Sequence, residues 1–221
     1  MATKPLRIGY AGSLAAFDPK QGQKSSVPVL NWFWTYSALN VDQSTRSGYY
    51  LFRALRYGID HKLFTAEDIV IDLWGIIAPG NRRQADEMGL EKAVRISGYA
   101  GKAESKERLS RCDALFLPME CGKDGNATLF IPGKVFEYMQ AGKPVLCLTR
   151  GGDCADILSR SGLGILADPY NEKQVAEQLA KLVQMKRSGE QLVTPDLEYI
   201  SGYDFSRLTA RLANEFDNLL R

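Results

Sequence analysis

Short apolar runs alternate with amphipathic stretches along most of the chain. Runs such as IVIDL and ALFLP are apolar at nearly every position, which is typical of strands that are buried on both faces of a parallel sheet. The pattern predicts six strands, at 6–11, 69–73, 93–96, 114–117, 145–148 and 164–167. Apolar residues at helical spacing predict helices at 47–60, 81–88, 103–110, 134–141, 171–186 and 206–220. The alternation predicts an α/β fold: a Rossmann-like parallel sheet of about six strands with helices on both faces.

Residues 15–46 interrupt this alternation. They join the first strand to the first helix, and the segment is far longer than the roughly two to six residues that usually connect such elements. It begins polar and ends in an aromatic cluster, Trp32, Phe33, Trp34 and Tyr36. We expect these rings to pack on the protein's own sheet; a surface for an acceptor, a lipid or a partner is the alternative. Since no linker divides the chain elsewhere, we expect one domain over 1–221 that carries this insertion.

Composition and charge exclude several classes of protein. The 221 residues include 28 Lys and Arg against 26 Asp and Glu, scattered along the chain, so we expect no nucleic-acid partner. No apolar run approaches the roughly 18 residues that span a bilayer, and the N-terminus does not resemble a signal peptide. The four cysteines form no CxxC pair, which is typical of reduced thiols. These features predict a cytoplasmic protein.

The chain contains a single histidine, His61, in a polar stretch that we expect at the surface. One histidine argues against Ser-His-Asp and Cys-His catalysis and against histidine-rich zinc sites. An Asp-x-Asp motif is also absent. We therefore expect chemistry that needs no bound metal.

The first candidate binding motif is IGYAGSL at 8–14, where a strand runs into Gly12 and Ser13. Small residues there would let backbone amides approach a phosphate closely. The dinucleotide fingerprint GxGxxG and the Walker phosphate loop are both absent. A tight turn without a ligand is the alternative for this motif.

The second candidate is FIPGKVFEYMQAGKPVLCL at 130–148. Gly133 lies at the predicted helix start, whose free N–H groups and dipole attract anions, and Lys134 adds a full positive charge. Glu137 follows one turn later, where a carboxylate could accept hydrogen bonds from the two neighbouring hydroxyls of a ribose. The alternative is a solvent-exposed Lys–Glu pair with no binding role.

Other loops at predicted strand ends offer weaker candidates. Tyr99 follows the strand at 93–96 and could present its ring to a planar base, the alternative being a ring packed in its loop. The loop after the strand at 114–117 carries three candidate polar contacts, Glu120, Lys123 and Asp124. Such loops lie where ligands bind in open parallel sheets, beyond the carboxyl ends of the strands.

Taken in order, these motifs resemble the C-terminal, donor-binding half of a GT-B glycosyltransferase, specifically of glycosyltransferase family 4. The resemblance is carried by the AGS loop, ISGY, CDALFLPME, IPGKVFEYMQAGKPVL and SGLGI, and it covers nearly the whole chain except 15–46. The segment IPGKVFEYMQAGKPVL is the most specific of these. The resemblance implies retaining transfer of a sugar from a nucleoside-diphosphate sugar, UDP-linked in most cases, without an essential metal or other cofactor. A saccharide or a lipid-linked acceptor, as in polysaccharide biosynthesis, would receive the sugar, and a lipid-linked acceptor would bring the enzyme to a membrane surface.

The resemblance assigns some residues and leaves others without a match. Glu137 matches the helix-borne glutamate that holds the donor ribose. A second glutamate is often found eight positions earlier, where this chain has Leu129. The basic residue that usually follows the first loop has no clear counterpart; Lys20 and Lys24 are candidates, and Lys134 is better placed.

A GT-B enzyme has two Rossmann-like domains, which together need roughly 300 residues or more. We therefore expect an N-terminal acceptor domain or partner chain to be missing here, and this chain to transfer no sugar alone. Two alternatives remain open at this point. One is a non-catalytic nucleotide-sugar binding module or a subunit of a split glycosyltransferase, and the other is half of a nucleotide-sugar epimerase.

Overall fold

The computed structural model describes residues 4–15, 17, 41–123, 126 and 129–220. Its strands are β1 (Leu6–Leu14), β2 (Val41–Asp42), β3 (Ile69–Ile77), β4 (Val94–Ser97), β5 (Ala114–Pro118), β6 (Cys121–Gly122), β7 (Val145–Leu148) and β8 (Gly164–Ala167). Six of them form a parallel sheet in the order β4–β3–β1–β5–β7–β8. These are the six predicted strands, so the predicted sheet is confirmed.

Helices cover both faces of the sheet. They are α1 (Tyr49–Asp60), α2 (Pro79–Glu87), α3 (Lys102–Ser110), α4 (Lys134–Ala141), α5 (Asp153–Arg160), α6 (Glu172–Ser188), α7 (Leu197–Ser201) and α8 (Phe205–Leu219). Side chains of β5 alternate between two hydrophobic cores: Phe116 joins the residues of α1 and α6, while Leu117 joins those of α4 and α5. Burying a side chain such as Phe116 stabilises the fold by about 1.5–3 kcal/mol. The Rossmann-like architecture predicted from the sequence is confirmed.

Strands β1 and β3 extend beyond their predicted ends. They pair in register from Leu6 with Ile69 to Leu14 with Ile77, so Gly12 continues β1 and does not form the tight turn that was the alternative for this motif. Two facing glycines are the reason. Gly12 and Gly75 are partners with φ of +153° and +121°, and a Cβ atom on Gly75 would lie 2.3 Å from the carbonyl oxygen of Gly12. Only glycines allow this backbone conformation and this close approach.

The predicted boundaries of α4 and α6 are well supported by their capping residues. Gly142 ends α4 in the left-handed conformation, and Pro144 follows it. Asn171 caps α6 by accepting a hydrogen bond from the backbone N–H of Gln174 at 3.0 Å. The short helix α7 was not predicted.

The long insertion is described only at its two ends. Its aromatic cluster at 32–36 lies outside the described residues, and so do Lys20 and Lys24. At its far end, β2 pairs antiparallel with β6, so the end of the insertion is tied to the loop that follows β5. All four cysteines are buried free thiols, as predicted. Among the described residues, no helix is both long and apolar enough to cross a membrane.

Candidate functional site

A cleft of about 600 Å³ lies at the carboxyl edge of the sheet, where ligands bind in folds of this type. The ends of β1 and β3, the loop before α3 and the start of α4 form its walls. Six of the candidate residues singled out from the sequence line this one cleft: Gly12, Ser13, Tyr99, Gly133, Lys134 and Glu137. The structure thus brings together motifs that are more than 120 positions apart in the chain.

The N-terminus of α4 opens into the cleft without a side-chain cap. Gly133 is its N-cap residue, and the first backbone bonds of this end run from Val135 N–H to Pro132 O and from Phe136 N–H to Gly133 O. Among the described residues, no group accepts a hydrogen bond from the N–H of Gly133 or Lys134. Free donors of this kind, together with the helix dipole, attract anions.

The Lys134 side chain lies over the end of β1. A Cβ atom on Gly12 would lie 2.5 Å from both Cε and Nζ of Lys134, so the end of the lysine side chain occupies the space that the glycine leaves. Nζ also lies 5.5 Å from the centroid of the Tyr10 ring. Burial lowers the pKa of Lys134; the Glu137 carboxylate raises it, and the Arg46 guanidinium lowers it further. The ammonium group is therefore half-buried beside a second cation, where an anion would be stabilising.

The backbone N–H groups of β1 alternate between its two sides. Leu6 donates to Asp68 O beside β3, whereas Ala15 donates to Arg46 O on the opposite side. Because N–H groups alternate along a strand, the N–H of Ser13 points away from β3, to the side on which β5 pairs with β1. The Tyr10 hydroxyl fixes this end by donating to Ser13 O at 2.7 Å, and burial raises the pKa of that hydroxyl to about 12.

Glu137 and Tyr99 lie at the open rim of the cleft. Glu137 is exposed on the first turn of α4, and among the described residues no ion pair joins it to Lys134, so the two are not the simple pair considered from the sequence. The Tyr99 side chain is 81% exposed and is not packed in its loop. Behind it Trp74 is buried and donates its indole N–H to Ser105 Oγ at 3.2 Å. The rim therefore offers a carboxylate and a free aromatic face.

Sequence reasoning missed one charged residue of the cleft, Arg46. It is the last residue of the insertion, and its position depends on pairing with a loop about 75 positions away, which no local pattern reveals. Glu120 lines a smaller cavity that adjoins the cleft. Lys123 does not line the cleft, and Asp124 lies outside the described residues.

The remaining candidates contribute no catalytic group to the cleft. His61 is exposed and stacks on the Tyr57 ring, with the two ring centroids 3.8 Å apart, away from the cleft. Within the described part of the chain, no group of three or more His, Cys, Asp or Glu side chains is arranged to hold a metal ion.

The sheet and its helices match the fold of the Rossmann-like half of GT-B glycosyltransferases. Residues 50–185, more than half of the chain, match the family described as Glycosyl transferases group 1. The chain therefore belongs to that family. A comparison with curated proteins gives no significant match.

Solved structures of similar fold come from several bacteria. Anabaena Alr3699/HepE, in complex with UDP and glucose, is 15% identical with a TM-score of 0.60; the alignment covers 97% of this chain and 49% of that one. Staphylococcus aureus MnaA with UDP is 12% identical with a TM-score of 0.56, covering 97% and 46%. A glycosyltransferase from Rickettsia africae is 11% identical with a TM-score of 0.58, covering 100% and 49%. This chain spans about half the length of these structures.

Proposed function

We propose that this chain is the donor-binding domain of a retaining, family 4-type glycosyltransferase that moves a sugar from a nucleoside-diphosphate sugar to a saccharide or lipid-linked acceptor. One observation carries the proposal: the uncapped N-terminus of α4, with Lys134, faces the glycine end of β1 across a single cleft. Backbone donors and a cation that converge on one point are what a diphosphate requires.

Each part of a nucleotide then has a candidate partner. The diphosphate lies between the N–H groups of Gly133 and Ser13, with the Lys134 ammonium group beside it. Glu137 accepts hydrogen bonds from the ribose hydroxyls, because it lies one turn further along the same helix. The exposed ring of Tyr99 stacks on the base at the rim. Gly12 keeps the space that the Lys134 side chain needs.

UDP is the proposed nucleotide portion of the donor. Support comes from Alr3699/HepE and MnaA, whose structures contain UDP, although at 15% and 12% identity they share only the fold with this chain. At position 129, where relatives often have a glutamate near the donor sugar, this chain has an exposed leucine, Leu129. This chain therefore recognises the donor sugar differently from relatives that have a carboxylate there.

In this proposal the donor-binding domain needs a second domain for catalysis. In the proposed enzyme an N-terminal acceptor domain or a partner chain closes the cleft and holds the acceptor. Two observations support this: the chain spans about half of its structural neighbours, and α8 exposes the apolar side chains Leu212, Phe216 and Leu219. A split subunit or a non-catalytic nucleotide-sugar module is the alternative, since both would use the same cleft.

An epimerase half is a second candidate because the structure of a putative UDP-N-acetylglucosamine 2-epimerase from Listeria monocytogenes, 15% identical with a TM-score of 0.54, shares the fold. Membership of Glycosyl transferases group 1 favours the transferase. The described cleft also carries Glu137 as its one carboxylate, fewer acid–base groups than epimerisation requires. We further propose that donor binding is independent of metal and that the protein works in the cytoplasm.

Thermal denaturation and calorimetry with UDP, GDP and ADP, each with and without EDTA, test the proposal. UDP at 100 times its dissociation constant should add about 2.7 kcal/mol to the free energy of unfolding. We expect weak binding, with a Kd of about 1 mM, because half of the cleft wall is missing. Binding that disappears in EDTA would contradict metal independence. Acceptor-dependent consumption of a UDP-sugar by this chain alone would contradict the need for a second half.

A further inference from the structure

A second cavity lies between α3 and the sheet, outside the cleft that the proposed function uses. Its volume is about 200 Å³. That is room for a small polar ligand, since pockets for drug-sized molecules measure roughly 300–1,000 Å³. The side chains around it that matter here are Arg7, Asp72, Trp74, Ser97, Arg108 and Arg111. Among the described residues, Trp74 alone lines both this cavity and the cleft, so the two spaces are separate.

The cavity exists because α3 and the sheet meet here with few large apolar side chains. Strand β1 has Gly9 at this point, and the partner of Gly9 in β3 is Asp72. Leu109 is the one buried side chain of α3. The Cys112 thiol lies against the bare strand, since a Cβ atom on Gly9 would be 2.5 Å from Cys112 Sγ. The space between helix and strands therefore has mainly polar walls.

Three guanidinium groups line the cavity, against one carboxylate. Arg7 is on β1, Arg108 is on α3 and Arg111 follows α3, and their side chains are between 40% and 69% exposed. Within the described part of the chain, the Arg7 side chain has one partner, the Asp72 carboxylate at 3.5 Å. Arg108 and Arg111 each bond to the glutamate four positions earlier in α3 and keep other N–H donors. The lining thus favours an anion.

Arg108 is held in place before any ligand binds. Its Nη1 atom donates to Ser97 Oγ at 3.0 Å, its Nη2 atom donates to Glu104, and its Cζ atom lies 5.9 Å from the centroid of the Trp74 ring. Asp72 is also only partly engaged. Its side chain is 20% exposed and, among the described residues, its one ion-pair partner is Arg7, so the carboxylate can still accept a hydrogen bond.

We propose that this cavity is a second binding site, for a small phosphorylated sugar whose phosphate lies between the three arginines and whose hydroxyl group donates to Asp72. The site goes beyond the proposed function and does not depend on it. Guanidinium groups bind phosphate oxygens through charge-assisted hydrogen bonds. The carboxylate repels a bare phosphate ion and rewards a ligand that also brings a hydroxyl donor, which gives the site its selectivity.

Calorimetry with glucose 1-phosphate, inorganic phosphate and glucose tests the proposal. It is carried out on the native chain and on Gly133→Asp, which places a carboxylate at the start of α4 and so blocks phosphate binding in the donor cleft. We expect glucose 1-phosphate to bind both proteins equally, about 10-fold more tightly than inorganic phosphate. Glucose, which has no phosphate, should show no measurable binding.

Three variants locate the ligand. Arg108→Gln should weaken glucose 1-phosphate binding about 10-fold, because it removes charge-assisted bonds to the phosphate. Arg56→Gln is the matched control: Arg56 is 35% exposed and pairs with Asp60 in α1, on the opposite face of the sheet, so we expect unchanged affinity. Asp72→Asn should tighten inorganic phosphate binding and reduce the preference for glucose 1-phosphate to less than about 3-fold.

Three results would overturn the proposal. They are loss of glucose 1-phosphate binding in Gly133→Asp, equal affinities of the native chain for glucose 1-phosphate and inorganic phosphate, and an unchanged affinity in Arg108→Gln. If Arg108→Gln fails to fold, Arg111→Gln decides by the same criterion, since Arg111 is the most exposed of the three arginines. None of these results bears on UDP binding in the cleft, and absence of UDP binding would reject the proposed function while leaving this site standing.

Discussion

Helices α4 and α6 both begin after the carboxyl end of a parallel strand, yet their first turns differ. In α6 the Asn171 side chain accepts from Gln174 N–H, and Gln174 Oε1 accepts in turn from Asp168 N–H at 2.9 Å. In α4 the N-cap is Gly133, which has no side chain to offer. The start of α6 is therefore capped by its own side chains, whereas the start of α4 leaves its backbone N–H groups open beside Lys134. The comparison separates a helix start that stabilises the fold from one that is available to a ligand.

Closing α4 with a negative charge should give the largest effect on binding. Gly133→Asp introduces a carboxylate where no neighbouring atom lies within 4 Å, so the fold should tolerate it. Its repulsion of the diphosphate, combined with capping of the free donors, should weaken UDP binding about 100-fold. Calorimetry with UDP measures this. Asn171→Asp is the matched control at the start of α6, and we expect unchanged UDP affinity there.

Removing the cation at the start of α4 should have a smaller effect. Lys134→Met keeps most of the side-chain volume and removes the ammonium group over Gly12, so UDP binding should weaken about 10-fold and uridine binding should change little. Lys173→Met, which removes an exposed lysine at the start of α6, should leave both affinities unchanged. An equal loss for uridine and UDP would place Lys134 away from the phosphates.

Removing the cap of α6 should affect stability and not binding. Asn171→Ala should lower the free energy of unfolding by about 1 kcal/mol, because the N–H of Gln174 loses its acceptor. Urea denaturation measures this change, and UDP affinity measured on the same sample should equal that of the native chain. A loss of UDP affinity here would mean that the two helix starts are not independent.

The smallest expected effect is on pH dependence. Since burial lowers the pKa of Lys134, its ammonium group loses charge at a lower pH than an ordinary lysine with a pKa of 10.5. UDP binding should therefore weaken as pH rises toward that range. Lys134→Arg keeps its charge, so its UDP affinity should stay level over the same interval. If UDP affinity falls equally with rising pH in the native chain and in Lys134→Arg, a group other than Lys134 causes the pH dependence.

Much of this picture could be predicted because its signals are local. The strands at 145–148 and 164–167 are continuous apolar runs, and Gly133, Lys134 and Glu137 lie within one turn of a single helix start. That is why both the sheet and one wall of the cleft follow from the sequence.

The missed features depend on contacts between distant segments. The continuation of β1 through Gly12 requires Gly75 of β3 opposite it, and the place of Arg46 requires the pairing of β2 with β6. Neither partner is indicated by the residues beside it in the chain. Arg46 was therefore overlooked, while Lys20 and Lys24 were considered because they are closer in sequence to the first strand.

The central claim is that Glu137, one turn inside α4, holds the ribose of a nucleotide whose diphosphate lies at the helix start. It is tested most directly by comparing the affinities of UDP and 2′-deoxy-UDP in the native chain and in Glu137→Ala. Each charge-assisted hydrogen bond to a ribose hydroxyl contributes about 1.5–3 kcal/mol. We predict that the native chain binds UDP at least about 10-fold more tightly than 2′-deoxy-UDP, and that folded Glu137→Ala binds both equally and weakly. Unchanged discrimination between the two nucleotides in folded Glu137→Ala would contradict the account.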